Sequence, residues 1–142
     1  MIEPAWTELT TTSIKAQPDD GVWQQGPYVR GPALLKIEAQ GQWNYSTRFG
    51  RLCSANGDLL SLLDPKRCIH DKSPVGALIG RIGGSIAEKD ATYIFVVGSV
   101  CVRRLDRDTE GPLFLTINDM WTGFADNSGA LTVKIYFAAL DG

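Results

Sequence analysis

The sequence predicts an all-β fold, a two-sheet β-sandwich, and three observations carry that prediction. Short apolar runs rich in β-branched residues recur along the chain; Gly and Pro turn signals fall between them; and no long stretch shows helical periodicity. The runs are "ALLKIEA" (33–39), "GALIGRI" (76–82), "TYIFVVGSVCV" (92–102), "LFLTI" (113–117) and "ALTVKIYF" (130–137). In the last of them Leu131, Val133, Ile135 and Phe137 alternate with Thr132, Lys134 and Tyr136, so one face packs inward and the other meets water. In "LFLTI", Leu113, Leu115 and Ile117 share a side, and the strands 113–117 and 130–137 read as neighbours whose connection holds a polar loop at the domain edge.

Turn chemistry stands at Gly26-Pro27, Gly31-Pro32, Asn56-Gly57, Asp64-Pro65, Ser73-Pro74, Gly83-Gly84 and Gly111-Pro112. The best helical stretch is "GDLLSLLD", in which Leu59, Leu60, Leu62 and Leu63 face a core for two turns before Asp64-Pro65 stops it. It sits inside a longer irregular excursion from about 44 to 75.

The whole chain, 1–142, reads as one domain, long enough to bury about 70% of the surface its unfolded form exposes. A hydrophobic content of 44% with 21% charged residues is ordinary for a globular protein, and a net charge of -2 gives no general attraction to nucleic acid or anionic lipid. The segments "RRLDRD" and "DPKRCIHDK" interleave both signs, where nucleic-acid binding wants an unbroken basic stripe with aromatics. The N-terminus lacks a basic segment followed by an apolar run, and no apolar stretch is long enough for a membrane span; the chain is expected in the cytoplasm or exported without a signal peptide. Cys53, Cys68 and Cys101 make an odd count, so at least one thiol is free unless it pairs between chains, and a Cys53–Cys68 bridge stays open.

The loop "NDMWTGFADNSG" (118–129) gathers Asp119, Asp126 and Asn127 between two strands. Two readings fit this composition. Asp-Asn-Ser-Gly is ordinary turn chemistry, and it is equally the mixture of carboxylate and amide oxygens that calcium takes.

Two segments, "GALIGRIG" (76–83) and "GPLFLTIND" through "DNSGALTVKI" (111–135), resemble the LecA-type family, the PA-I galactophilic lectins and related bacterial modules; "LLKIEAQGQWNY" resembles the family's strand that ends near the metal. The resemblance implies a jelly-roll β-sandwich, galactose-binding-domain-like, and a non-enzymatic lectin that binds carbohydrate through a loop-bound calcium ion. It implies Asp119 as carboxylate ligand, Asp126 and Asn127 as further side-chain ligands, and the backbone carbonyls of Tyr45 and Gly123 to complete the shell. It places the sugar against Asp119, Asp126 and Tyr45, and it implies a homo-oligomer; Trp121 and Phe124 in the same loop either stack on the sugar's apolar face or cap the core. The family's second recognition segment, with a His and a Gln, has no counterpart between Tyr45 and Gly76, and Gly123 replaces a common threonine, so galactose preference does not carry over.

Two further readings stay beside this one. In the first, the calcium loop is purely structural and the module binds a protein through the 50–75 excursion. In the second, "CIHD" sets Cys68 and His70 on one face as a small hydrolase's nucleophile and base, although Asp71 then points away.

Overall fold

The computed structural model describes residues 4–46, 51–83 and 93–140. Among these described residues ten strands form two antiparallel sheets: β1 (Thr7–Lys15), β2 (Gln24–Arg30), β3 (Ala33–Gln40), β4 (Trp43–Asn44), β5 (Leu52–Cys53), β6 (Leu78–Ile82), β7 (Phe95–Val96), β8 (Val100–Leu105), β9 (Glu110–Ile117) and β10 (Ser128–Ala139). One sheet runs β5-β4-β10-β3-β8, with β1 paired to the other side of β10; the second runs β2-β9-β6-β7. The expected all-β sandwich is present, and among the described residues no helix is long and apolar enough to cross a membrane.

The main core lies between the sheets. Leu131, Val133 and Ile135 of β10 project into it as their alternation predicts, together with Leu35 and Ile37 of β3 and Leu113, Leu115 and Ile117 of β9. Phe137 is only half-buried, the alternation slipping at the end of the strand, where Ala138 is buried instead. A second apolar cluster covers the other face of the β2-β9-β6-β7 sheet, where Phe114 and Ile79, the odd members of their strands, meet Trp23, Ile69 and Ile94. β9 is therefore buried on both faces.

Several expectations need correction. The strands 113–117 and 130–137 belong to opposite sheets, so the loop between them bridges the sandwich and does not close a hairpin. The run 92–102, whose first residue lies outside the described residues, is two strands in different sheets: Gly98, at φ +66, turns the chain between β7 and β8, and a side chain there would meet Asn56 Oδ1 at 2.7 Å. Gly26-Pro27 and Gly111-Pro112 lie inside β2 and β9, where the register shifts between Gln25 and Tyr28. Pro27 is tolerated because β2 is an edge strand and the register shift takes it out of the ladder.

No helix forms at 57–64. Asp58 Oδ1 accepts the Leu60 amide at 3.0 Å and Ser61 Oγ accepts the Leu63 amide at 3.1 Å, so side chains take the amides a helix would need for its own ladder. Leu63 alone packs on the core; Leu59, Leu60 and Leu62 stand in solvent. The three cysteines are free thiols, and Cys53 and Cys68 are buried separately.

Candidate calcium and carbohydrate site

The loop 118–127 leaves the end of β9 and reaches the start of β10. There Ser128 and Gly129 pair with Asn44 and Trp43 of β4, which carries the following residues, Tyr45 and Ser46, to the same place. The result is a cleft of about 300 Å³ lined by Tyr45, Ser46, Leu63, Asp119, Met120, Thr122, Gly123, Ala125 and Asp126. Tyr45, far away in sequence, thus shares one cleft with Asp119, Gly123 and Asp126, and Asn127, next in the chain, is buried.

Asp119 is the buried carboxylate of the site, 2% exposed. Its Oδ1 accepts the Met120 amide at 2.8 Å, while its Oδ2 is buried without a hydrogen-bond partner. Burial pushes its pKa up to about 6, with the Asp126 charge adding to the rise and the Met120 and Asn127 amides opposing it. Gly123 packs so closely on this carboxylate that a Cβ would lie 3.0 Å from Asp119 Oδ1. Asp126 sits in a 3-10 turn, Phe124–Asp126, and its Oδ2 accepts the Ser46 hydroxyl at 3.1 Å. Asn127 donates through Nδ2 to the Ala16 carbonyl at 2.9 Å, which leaves its Oδ1 buried and unpaired.

Two carboxylates therefore share a cleft whose lining, among the described residues, contains no lysine or arginine. Asp119 Oδ2 in this cleft and Asn127 Oδ1 in the same loop are buried without a hydrogen-bond partner. Leaving buried oxygens unsatisfied costs about 1–3 kcal/mol each, more for a charged group, and a divalent cation with oxygen ligands removes that cost. Among the described residues no three acidic, His or Cys side chains converge, so any cation would draw the rest of its shell from amide and backbone oxygens and from water. The site's residues fit such an ion.

Tyr45 is held by the excursion: its hydroxyl lies 2.8 Å from both Asp58 Oδ2 and Ser61 Oγ, donating to the carboxylate. We expect Tyr45→Phe to lower stability by about 1–2 kcal/mol, because Asp58 and Ser61 lose a partly buried partner; a urea denaturation midpoint equal to wild type would refute this.

Trp121 does not line the cleft. It packs with Phe124 against the cluster of Trp23, Ile69 and Phe114, so both aromatics extend the apolar packing beneath the loop. Residues that the sequence did not mark also hold the site. Ala16 and Gln17, just past β1, bind Asn127 and the Ala125 carbonyl, and Ser46 binds Asp126. Asn118 is wholly buried: its Nδ2 lies 2.9, 3.0 and 3.1 Å from the carbonyls of His70, Ser73 and Pro74, and its Oδ1 accepts the His70 amide. The Asn-Asp pair at a strand end was the available signal, and only its second member was read as functional.

The "CIHD" segment forms no nucleophile pair. Burial, with Asp119 and Asp64 nearby, pushes the Cys68 thiol up to about 12, and His70 Nδ1 is paired with the Ser73 hydroxyl.

Fold and cleft together define a β-sandwich with an acidic loop site at one end. Among solved structures, the chain is similar to the EclA N-terminal domain, a PllA-like lectin, with a TM-score of 0.62 and 20% identity over 92% of this chain and 97% of that one. The likeness gives this chain the same fold. No family model matches the sequence, and no curated protein matches it.

Proposed function

We propose that this chain is a non-enzymatic, calcium-dependent carbohydrate-binding module whose site is the cleft between the 118–127 loop and Tyr45. The observation that carries the reading is the pair of buried, unpartnered oxygens, Asp119 Oδ2 and Asn127 Oδ1, beside a second carboxylate in a cleft that, among the described residues, is lined by no basic side chain. The resemblance of the loop to the LecA-type calcium loop and the lectin fold of the similar structure support it. Asp119, Asp126 and Asn127 would supply side-chain oxygens, and the backbones of Tyr45 and Gly123 the remainder. The ion would offer open positions to vicinal sugar hydroxyls.

The chain's own residues prepare this site. Ser46 fixes the orientation of Asp126, Gly123 leaves room for the Asp119 carboxylate, and Ala16 turns the Asn127 amide so that its oxygen is the free end. The sugar itself stays unassigned, because the family's His and Gln segment is replaced here by the leucine-bearing excursion.

A glycan array probed in calcium and in chelator tests the reading. We expect calcium-dependent spots that are lost in Asp126→Ala, a variant that removes a half-buried side chain and leaves the core intact. Calcium-independent spots, or spots unchanged in Asp126→Ala, would refute it.

A further inference from the structure

The excursion that packs on Tyr45 displays apolar side chains to solvent: Leu52 is 63% exposed, Leu59 84%, Leu60 73% and Leu62 87%. They are held outward by structure. Arg51 Nη1 donates to the Leu60 carbonyl at 3.0 Å, Asp58 and Ser61 fix the amides of Leu60 and Leu63, and the Tyr45 hydroxyl ties Asp58 and Ser61 to the cleft. Leu63, at the end of the same loop, turns inward and lines that cleft. Clustered leucines on one fixed loop mark a surface built to be covered.

The charges around them favour one occupant. From 51 to 72 the chain carries four basic residues, Arg51, Lys66, Arg67 and Lys72, against three acidic ones, Asp58, Asp64 and Asp71, a local balance of +1 in a chain of net -2. Asp58 and Arg51 offset one another at 3.6 Å, and the exposed remainder is Lys66, Arg67 and Lys72 against Asp64 and Asp71, an excess of positive charge. A second copy stacked on the leucines would set these cations against their own counterparts, whereas an anionic lipid surface meets apolar tips and cations together.

We propose that the leucine loop is an interfacial anchor, docking the chain on a phospholipid surface that carries anionic headgroups. The docking needs neither calcium nor sugar, so it goes beyond the function proposed above.

The test is flotation with phosphatidylcholine vesicles containing phosphatidylglycerol, in chelator. We expect the wild type to float, and Leu59→Ser/Leu60→Ser/Leu62→Ser to lose more than about tenfold in partitioning, because each leucine contributes buried apolar area. The substituted side chains are exposed, so the melting temperature should hold. Val102→Ser, an exposed valine on β8 at the far end of the sheet order from β5, should float as wild type does. Three results would overturn the proposal: no flotation of the wild type; equal flotation of the triple variant; or a wild type that elutes as a dimer from a sizing column and a triple variant that elutes as a monomer, which would assign the leucines to a second copy. Flotation in chelator with a blank glycan array would retain the anchor and refute the sugar site.

Discussion

Calcium should raise the melting temperature of the wild-type chain and leave Asp119→Asn unmoved, while in chelator at pH 7 the variant should melt above the wild type. The crossing follows from the burial of one carboxylate. Without a cation, Asp119 is held at a pKa of about 6, against about 3.9 for an aspartate in an unfolded chain. Between those values the folded protein keeps a proton that the unfolded chain releases. Stability of the metal-free protein therefore falls as pH rises from about 4 to about 6, and above that the full penalty, on the order of 2–3 kcal/mol, is present. Asparagine keeps the shape, does not ionise and escapes the penalty, so the two metal-free proteins should converge as pH is lowered toward 4.

Calcium reverses the order. At a hundred times its dissociation constant it adds about 2.7 kcal/mol to the wild type, several degrees for a chain of this length, and far less to a variant that has lost a charged ligand. Proton and ion compete for the same oxygens, so calcium affinity should fall as pH drops through 6. Identical melting curves for both proteins, with and without calcium, would remove Asp119 from any metal site.

The parts of this molecule that the sequence disclosed are those where one side chain's chemistry decides the outcome locally. β10 is a middle strand with one wet face, so its alternation is visible, and the oxygen-rich loop before it is visible for the same local reason. β1 and β2 were not visible. β1 is an edge strand whose "TELTTT" stretch is largely exposed, and β2 passes through Gly26-Pro27 with a bulge, so neither shows a period. The leucines of 59–63 misled in the opposite sense, since leucine at helical spacing normally signals burial; Asp58 and Ser61 captured the local amides, and three of the leucines face out.

The site shows the same division. Asp119, Asp126 and Asn127 are named by their chemistry, but what gathers other residues around them is long-range. Pairing of β4 with β10 brings Tyr45 and Ser46 across, and the chain after β1 supplies the carbonyl that orients Asn127. Trp121, which the loop leaves equally able to stack on a sugar or to cap the core, packs on the outer cluster, and nothing local in the sequence decides between the two.

The largest loss of stability from a single side chain near the site should come from Asn118→Ala. Its backbone N–H and C=O pair with Ala77 and Gly76, and alanine keeps those bonds, so the end of β9 stays in place. The side chain is the only part removed, and with it the amide that gathers the carbonyls of His70, Ser73 and Pro74 and accepts the His70 N–H. Burying several polar groups without partners, plus a small cavity, costs about 3–5 kcal/mol, a large share of the roughly 5–15 kcal/mol that holds a domain of this size. The urea midpoint should fall with an unchanged slope. The damage should reach calcium too, since the Ile69 amide on the same strap is bonded to the Asp119 carbonyl at 2.9 Å. Asn118→Asp separates lost volume from lost donors: nearly the same size, it turns an oxygen toward three carbonyls, so at pH 7 it should be at least as damaging as alanine. As pH falls and the carboxyl gains a proton it can donate once more, and part of the loss should return. A cost below about 1 kcal/mol for alanine, or an aspartate variant as stable as wild type at pH 7, would show that the strap is held by its backbone and that Asn118 is incidental to it.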